Sequence, residues 1–374
     1  MKVLHIMSSC ARVAGVAHVV MNYYRHIYKE IVFDFLLYWD VEESFKEEIQ
    51  QLGGQIYVTG KPGLRTMGAY RKFIENFFAE HAGEYDVVHL HEIYLSSIIF
   101  PIAKRNGIQV RISHSHTTRF SDKKLNAIRN SVLFFPARFL SSHFFGCSRA
   151  AGIAAFGRRR TNSDRFFFLK NAIETENFLY SEDNRTKIRK ELGWENNFIV
   201  GHIGRFAPAK NHMFLLEIFA KLKDKAPDAR LLLIGDGPMF HDVQKRAEEL
   251  GVAGSVLQLG IRKDVSTLMS AMDVFVLPSF FEGLPVALVE AQSNGLPCVV
   301  SATITKETKI LSNYHIHALS ESPETWADTI LKCSATRISD PQPLIAEAGY
   351  ELSSAAKVLY QKYNTLCDEC QRSV

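Results

Sequence analysis

Short apolar runs alternate with longer amphipathic segments along the whole chain. Near-continuous apolar runs are typical of parallel strands that are covered on both faces, and the amphipathic segments repeat apolar residues at helical spacing. The pattern predicts first-half strands at Lys2–Met7, Val32–Tyr38, Gln55–Val58, Val87–His91, Val110–His114, Ser142–Gly146 and Arg165–Phe168. It predicts second-half strands at Phe198–Ile203, Arg230–Ile234, Val256–Leu259, Val274–Leu277 and Cys298–Val300. Two such series predict two doubly wound α/β domains.

Helical segments separate these strands. The predicted helices are Ala17–Tyr28, Glu43–Leu52, Met67–His81, Ser96–Asn106, His212–Lys225, Met239–Leu250, Asp264–Met272, Pro285–Ser293, Pro323–Ser334 and Ser353–Cys370. A polar, acid-containing run at 173–183 predicts a boundary, with one domain at 1–180 plus the returning helix 353–374 and the other at 181–352. Ligands of open α/β sheets bind beyond the carboxyl ends of the strands, so we expect a site in a cleft between two such domains.

Composition is that of an ordinary globular chain, with 47% hydrophobic and 22% charged residues. The first ten residues predict a strand rather than a secretory signal, and no apolar run reaches the roughly 18 residues that span a bilayer. Six cysteines in a chain of this length favour a reducing compartment. Cys367 and Cys370 form a CxxC, but no partner pair lies at zinc-ligand spacing and the motif ends a helix, so neither zinc nor redox chemistry is predicted there.

Positive charge is concentrated in one segment. Residues 100–170 hold fourteen lysines and arginines against two acids, interleaved with phenylalanines. An apolar helix flanked by basic residues suits an anionic membrane surface, which we favour. A solvated face beside a core is the alternative. No nucleic-acid motif accompanies the segment, so a nucleic-acid partner is not predicted.

The strongest local signal for chemistry lies at 278–291. Strand Val274–Leu277 leads into a loop, and a helix is predicted to open near Leu284 and Pro285. Free N–H groups at a helix start can bind phosphate or sugar oxygens. Glu282 precedes this opening and Glu290 follows about 12 Å along the axis. A glutamate in the apolar setting of Glu290 needs a partner.

A second signal is the loop that leaves strand Phe198–Ile203. Arg205 and Lys210 follow Gly204 closely enough for both cations to converge on a diphosphate, although surface Arg and Lys pairs are common. The first strand leads to a turn with Gly15, which is neither a dinucleotide-binding fingerprint nor a Walker A motif. Gly15 could still bring backbone close to a phosphate.

Histidines alternate at the ends of two strands. His89 with His91, and His114 with His116, each lie on one face of their strand. We favour hydrogen-bonding histidines on the acceptor side, and packed or solvated histidines are the alternative. A metal is not predicted, because no carboxylate completes an obvious ligand set.

At this point the chain resembles a known family. Glu282 to Glu290 resembles the E-x7-E motif of family 4 retaining glycosyltransferases, and Gly204-Arg205 with Lys210 is similar to their G-R-x4-K phosphate loop. Leu232–Pro238, Leu259-Gly260 and Asn171–Glu174 also match in order and spacing. The details resemble members that build exopolysaccharide or capsule. The resemblance implies a GT-B fold of two facing Rossmann-like domains, with the final helix crossing back to the first.

The resemblance also implies roles for particular residues. Arg205, Lys210, Glu282 and His116 would be catalytic. The donor, most simply a UDP-sugar, would be bound by Gly15, Gly204, Arg205, Lys210, Gly260, Arg262, Glu282, Gly283, Leu284 and Glu290. His91 and His114 would lie on the acceptor side. Such enzymes retain anomeric configuration and need no metal or other cofactor.

The expected activity is transfer of a hexose or N-acetylhexosamine to a glycan acceptor, most simply lipid-linked, at the cytoplasmic face of a membrane. Two alternatives remain, a sugar-nucleotide epimerase of the same architecture and a nucleotide-sugar-binding protein without transfer. Ala14-Gly15, Asn171-Ala172 and the Ser301–Ile304 loop depart from the family pattern. These departures leave the phosphate contact of Gly15 and the role of the loop after Val300 open.

Overall fold

A computed structural model describes residues 1–63, 65–118, 130–333 and 337–372. The chain divides into two compact units, Met1–Ala172 with Leu352–Val374, and Ile173–Glu351. The division falls eight residues before the predicted boundary at 180/181. Each unit is built around its own parallel sheet.

The first unit contains a seven-stranded parallel sheet in the order β3-β2-β1-β4-β5-β6-β7. Its strands are β1 Lys2–Met7, β2 Val32–Leu37, β3 Ile56–Val58, β4 Val87–Leu90, β5 Val110–Ser115, β6 His143–Gly146 and β7 Phe166–Phe168. The helices between them are Gly15–Ile27, Lys46–Gln51, Met67–Glu80, Ser96–Arg105, Ala137–Leu140, Arg149–Phe156 and Arg158–Thr161. The order reverses between β1 and β4, which makes that pair the switch point of the sheet.

The second unit contains a six-stranded parallel sheet in the order β10-β9-β8-β11-β12-β13. Its strands are β8 Phe198–Ile203, β9 Ala229–Ile234, β10 Val256–Gln258, β11 Val274–Leu277, β12 Cys298–Ser301 and β13 Tyr314–His317. The helices are Glu182–Leu192, His212–Lys225, Phe240–Glu249, Val265–Ala271, Val286–Ser293, Pro323–Cys333 and Gln342–Glu347. Here the switch point lies between β8 and β11.

The final helix, Leu352–Gln371, packs on the first unit, as predicted for the returning helix. Its apolar residues Leu359, Tyr363 and Leu366 are buried in one core with Val20 and Tyr24 of helix Gly15–Ile27. This burial holds the terminal helix to the domain, since each fully buried large apolar side chain contributes about 1.5–3 kcal/mol to stability. The predicted α/β fold class is confirmed.

Helices Arg149–Phe156, Arg158–Thr161 and Gln342–Glu347 were not predicted, and two further regions differ from the pattern-based expectation. The polar run near residue 181 starts a helix of the second unit, because the Ser181 side chain accepts the N–H of Asn184 at 3.2 Å and Glu182 and Asp183 occupy the first turn. Acids there are favourable beside the positive end of the helix dipole. The last strand, β13, was not predicted, because its alternating histidines and only partly buried residues lack the apolar run of its neighbours.

Candidate functional site

The candidate site of the second unit lies at its switch point. β8 and β11 are neighbours there, and their carboxyl ends lead into the loops 204–211 and 278–285. A helix begins after each loop, at His212 and at Val286. This is the edge of an open α/β sheet at which ligands bind.

The loop after β8 is held by the loop after β9. Gly204 donates its N–H to the Ile234 carbonyl at 3.0 Å, and Phe206 donates to the Asp236 carbonyl at 2.9 Å. Gly235 allows this approach, since it has φ +136° and a Cβ there would lie 2.1 Å from the Gly204 oxygen. The turn is therefore fixed, and it leaves Arg205 exposed without an ion pair to any described residue.

Lys210 and Glu282 form an ion pair between the two loops. Lys210 Nζ lies 2.7 Å from Glu282 Oε1, and the side chains are only 17% and 13% exposed. Ser279 donates its hydroxyl to the same carboxylate oxygen at 2.7 Å. Because both side chains are mostly buried, solvent screens the attraction between the two charges only weakly, and the ion pair holds them together.

Backbone contacts join these loops further. Phe280 donates its N–H to the Ala209 carbonyl at 2.8 Å, and Asn211 donates its amide to the Pro278 carbonyl at 3.1 Å. Two cations and a carboxylate thereby share one edge of the sheet. An arrangement of this kind can receive a polyanion beside Arg205 and Lys210 and a hydroxyl-rich group beside Glu282.

Glu290 lies in helix Val286–Ser293, about one turn beyond its start. Its carboxyl group makes no hydrogen bond or ion pair with the described residues, and burial raises its pKa to about 7. A partly buried acid without a partner is costly in a folded protein. The carboxyl group is therefore available to accept hydrogen bonds from a ligand.

The end of β12 and the loop after it hold the backbone of Ser279 in place. Ser301 Oγ and Thr303 Oγ1 both donate to the Ser279 carbonyl, at 2.6 and 2.7 Å. Sequence reasoning left the role of this loop open and missed Ser279, Ser301 and Thr303. The available signal was their position, since hydroxyl residues follow two adjacent strands at the same edge.

The other predicted donor residues of the second unit lie on this edge or beside it. Gly260 has φ +66°, and its carbonyl accepts the N–H of Gly235 at 2.8 Å, so it supports the turn that holds Gly204. Arg262 is exposed and bidentate to Asp264 at 2.8 and 2.6 Å. Gly283 and the buried Leu284 connect Glu282 to the helix that carries Glu290.

Two buried histidines that the sequence did not reveal lie beneath the cationic loop. His202 Nδ1 donates to the Val276 carbonyl at 2.8 Å, and the His202 ring packs edge-on against His212 at 4.7 Å. Burial lowers the pKa of both, to about 4 for His212. Both rings are therefore neutral and add no positive charge beneath Arg205 and Lys210.

The predicted residues of the first unit lie at its own switch point and on the neighbouring strand β5. Gly15 begins helix Gly15–Ile27, and a Cβ there would meet nothing within 4 Å. His91 directly follows β4 and His116 directly follows β5. His114 is buried in β5, so it does not present its side chain at the surface.

These histidines contact one another and two further ones, His5 and His89. Two groups, His5-His89-His91 and His91-His114-His116, each bring three nitrogens within 4.8 Å. The paired nitrogens are 2.8–3.1 Å apart. Two nitrogens on a tetrahedral zinc ion would be about 3.3 Å apart, so hydrogen bonding accounts for these pairs.

The basic segment is described in part. Its residues Arg119, Lys123, Lys124 and Arg129, with Phe120, lie outside the described residues. Around helix Ala137–Leu140 the side chains of Val132, Leu133, Phe135 and Phe139 are exposed, Phe139 by 66%. Arg138 lies 5.6 Å from the Phe135 ring and Arg160 lies 4.9 Å from the Phe139 ring. Apolar and cationic groups thus share one surface.

Cys367 and Cys370 lie inside the final helix as free thiols. Burial raises the pKa of the Cys367 thiol to about 11. A reactive cysteine needs a lowered pKa, so this motif lacks the chemistry of a redox pair.

Sequence comparison identifies relatives over most of the chain. The family model for glycosyl transferases group 1 matches residues 184–347. EpsF of Bacillus subtilis (strain 168), named as a glycosyltransferase, is 32% identical over 371 residues, 97% of this chain and 96% of that protein. The capsular polysaccharide biosynthesis glycosyltransferase CapH of Staphylococcus aureus is 27% identical over 88% of this chain and 90% of its own.

A third relative matches a shorter stretch. The UDP-Gal:alpha-D-GlcNAc-diphosphoundecaprenol alpha-1,3-galactosyltransferase of Escherichia coli is 34% identical over 137 residues, 36% of this chain and 35% of that protein. Among solved structures, Anabaena HepE in complex with UDP and glucose superposes with a TM-score of 0.78 at 19% identity, over 98% of this chain and 100% of the other. That likeness shows a shared fold. None of the described helices is long and apolar enough to cross a bilayer.

Proposed function

The chain belongs to the group 1 glycosyltransferases, and on that premise we propose that it transfers a hexose or N-acetylhexosamine from a UDP-sugar to a lipid-linked glycan. The resemblance and the GT-B fold class stated from the sequence are confirmed. The transfer would serve exopolysaccharide or capsule assembly, and the name of CapH supports that setting.

One observation carries the proposal. At the switch point of the second sheet, the exposed Arg205 and the Lys210–Glu282 ion pair lie on two adjacent loops, with an unpartnered Glu290 on the helix that follows. Neither fold nor packing needs an exposed arginine, a weakly screened ion pair and an unpartnered acid at one sheet edge. Substrate binding explains why all three occur at this edge.

Each of these groups has a part in the proposed reaction. Arg205 and Lys210 bind the diphosphate and stabilise the negative charge that grows on it as the sugar leaves. Glu282 accepts hydrogen bonds from hexose hydroxyls, and Glu290 accepts them from the ribose. Backbone N–H groups of Gly283 and Leu284 contact the donor sugar or phosphate.

The chemistry follows from this placement. The acceptor hydroxyl attacks the anomeric carbon on the face that the diphosphate leaves, the glycosidic bond to phosphate breaks, and the departing phosphate oxygen takes the hydroxyl proton. The anomeric configuration is then retained. The two cations supply charge stabilisation without a metal ion in this scheme.

The names of two related proteins support these substrates. HepE is described in complex with UDP and glucose, and the Escherichia coli relative is named for UDP-Gal and a diphosphoundecaprenol acceptor. A UDP-sugar donor and a polyprenyl-diphosphate-linked acceptor are therefore the first pair to test.

The proposal is tested by ligand-dependent unfolding followed by a transfer assay. UDP-, GDP- and ADP-sugars are each added to the purified chain, and a ligand present at 100 times its Kd raises stability by about 2.7 kcal/mol. The stabilising donor is then incubated with a polyprenyl-diphosphate-linked sugar in the presence of EDTA, and the product's anomeric coupling is read by NMR.

A retained glycoside is the expected product. A donor-only incubation separates the alternatives, because an epimer in that tube identifies an epimerase. Donor binding without hydrolysis or transfer identifies a binding protein. If no nucleotide-sugar stabilises the chain, the proposed function is wrong.

We also propose that the chain docks on the inner face of the cell membrane through the surface around helix Ala137–Leu140. Phe139 and Val132 are largely exposed, and Arg138 and Arg160 lie beside the aromatic rings. Two contributions hold a segment at a membrane surface. Apolar groups insert among the lipids, and cations bind the headgroups. Charge complementarity selects anionic lipid as the partner.

Replacing Phe139 with aspartate is expected to weaken binding to anionic vesicles about tenfold or more, because a ring that would insert into the lipid is lost and a negative charge is added that anionic lipid repels. Sedimentation with phosphatidylglycerol vesicles measures this. Val358→Asp is the matched control, since Val358 is exposed on the final helix of the same unit. If vesicle binding changes neither with the substitution nor with salt concentration, the segment is a solvated face and the docking proposal is wrong.

A further inference from the structure

Five histidines lie on neighbouring strands of the first sheet. His5 of β1 is in register with His89 of β4, and His91 follows at the next position on the same face. His114 near the end of β5 and His116 just after it lie beside them, since His89 is in register with Ile112 and Leu90 with Ser113. Tyr23 of helix Gly15–Ile27 and Tyr363 of the final helix line the small cavity beside them. The resemblance implies a catalytic role for His116, and the proposed reaction assigns no step to the other four.

Three of the five form one hydrogen-bonded series. His116 Nε2 lies 2.8 Å from His91 Nδ1, and His91 Nε2 lies 3.0 Å from His5 Nδ1. A second, separate series joins Tyr363 Oη to His89 Nδ1 at 2.6 Å and His89 Nε2 to His114 Nδ1 at 3.1 Å. The first series runs from the buried middle of β1 to the partly exposed end of β5.

All members of the first series are neutral near pH 7. Burial lowers the pKa of His5 to about 3 and that of His116 to about 4. It lowers the pKa of His91 well below the usual value, and neighbouring histidines add to the effect. A neutral imidazole has one N–H donor and one acceptor nitrogen. The two hydrogen bonds of the series must therefore point the same way.

The buried His5 end of the series determines the direction in which its hydrogen bonds are donated. His5 Nε2 is inaccessible to solvent and has no hydrogen-bond partner among the described residues. The adjoining cavity of about 10 Å³ is at the lower limit for one water molecule, and its accessible wall is apolar. A buried N–H without a partner is rarer and more costly than a lone pair without one. Nε2 therefore carries the lone pair and Nδ1 carries the proton.

The remaining assignments follow along the series. His5 Nδ1–H donates to His91 Nε2, so His91 holds its proton on Nδ1 and donates it to His116 Nε2. His116 must then carry its own proton on Nδ1, the nitrogen outside the series. His116 is partly exposed just beyond β5, so this N–H can reach a ligand.

We propose that His5 and His91 are positioning residues that hold His116 in its Nδ1–H tautomer, so that it meets the substrate as a hydrogen-bond donor and not as a base. The inference rests on the proposed function, with His116 at the substrate as the resemblance implies. A donor there suits an oxygen of the donor sugar or phosphate. It also leaves the acceptor proton to the departing phosphate, as the proposed reaction requires.

The tautomer itself is tested without any substrate. Long-range proton–nitrogen NMR of the ligand-free chain, labelled with ¹⁵N-histidine, distinguishes Nδ1–H from Nε2–H rings. The His116→Gln variant identifies the His116 signals by their loss. Nδ1–H at His116 is the expected result, and Nε2–H overturns the proposal. So does one equivalent of zinc retained by the purified chain and lost in His114→Gln.

A pair of variants at His5 tests the positioning role. Leucine removes the donor to His91, whereas asparagine places an amide N–H near the former Nδ1. His5→Leu is expected to give mixed His116 tautomers and about 10- to 100-fold lower kcat, with KM for the nucleotide-sugar within about twofold. His5→Asn is expected to recover most of that loss.

Unfolding curves of both variants check that each is folded. Equal losses of kcat in the two variants, or an unchanged tautomer in His5→Leu, would show a packing role and overturn the proposal. A chain that transfers no sugar at all fails the proposed function, while the NMR result still decides the tautomer.

Discussion

Lys210→Ala is expected to lower kcat about 10²- to 10³-fold, the usual loss when one preorganised group that stabilises transition-state charge is removed. The negative charge on the leaving diphosphate is larger in the transition state than in the bound donor. Lys210 therefore contributes more to kcat than to KM. Steady-state kinetics with the stabilising nucleotide-sugar measures the two parameters separately.

Arg205→Ala is expected to give a kinetic loss of the same size, but the two variants differ in stability. Arg205 is exposed and has no ion pair with the described residues, so its removal leaves the free energy of unfolding nearly unchanged. Lys210 pairs with Glu282 in a mostly buried setting. Its loss leaves the carboxylate with fewer partners and costs about 1–3 kcal/mol.

The control is Lys221→Ala, which removes an exposed lysine paired with Glu324 at 3.3 Å in the same unit. It is expected to leave kcat unchanged. If Lys210→Ala and Arg205→Ala both turn over at the wild-type rate, the two cations do not stabilise the leaving group.

The cationic loop could be predicted from sequence because its signal is local. Arg205 and Lys210 follow a clear apolar strand, and parallel strands deliver their following loops to one edge of the sheet. The helix that carries Glu290 was equally visible, since Pro285 precedes its first residue and Gly295 follows its end. Short-range patterns of this kind can be recognised without knowledge of the tertiary packing.

The contacts that hold the site were not predictable in the same way. Ser279, Ser301 and Thr303 act through distances set by two adjacent loops, and nothing in their own segments distinguishes them from ordinary loop residues. The direction of the histidine series depends on His5, a single histidine in an apolar strand. The register of β1 against β4 pairs His5 with His89, and only the side-chain geometry shows that its hydrogen bond goes to His91.

Glu290→Gln is expected to raise the Kd for the nucleotide-sugar about 100-fold, because two charge-assisted hydrogen bonds to the ribose hydroxyls are weakened and each contributes about 1.5–3 kcal/mol. The pH dependence is a second signature. Burial raises the Glu290 pKa to about 7 in the ligand-free chain. The protonated acid is a poorer acceptor, so the wild-type affinity falls as the pH drops through 7.

Below that pKa, wild-type affinity is expected to fall about tenfold per pH unit, while the Gln variant is expected to show no such dependence. Titration calorimetry with the nucleotide-sugar at pH 5, 6, 7 and 8 measures both curves, because its diphosphate diester, unlike the terminal phosphate of free UDP, does not titrate in this range. A wild-type affinity that is flat across this range would show that Glu290 does not bind the ribose.

The same substitution is expected to stabilise the ligand-free protein at pH 8. A folded-state pKa raised from 4.5 to about 7 means that the folded chain binds more protons than the unfolded chain between these values. Stability from this group is thus fully present below pH 4.5 and is lost as the pH rises through 7. Glutamine carries no charge to desolvate, so Glu290→Gln gains about 1–3 kcal/mol at pH 8 and almost nothing at pH 4.5.

Denaturant unfolding of both proteins at the two pH values measures this difference. A variant that loses affinity while gaining stability identifies a group kept for its ligand, since a structural glutamate would lose both. A Glu290→Gln protein that is less stable than wild type at pH 8 would place Glu290 among the residues that hold the fold. The E-x7-E resemblance would then no longer describe a nucleotide site in this chain.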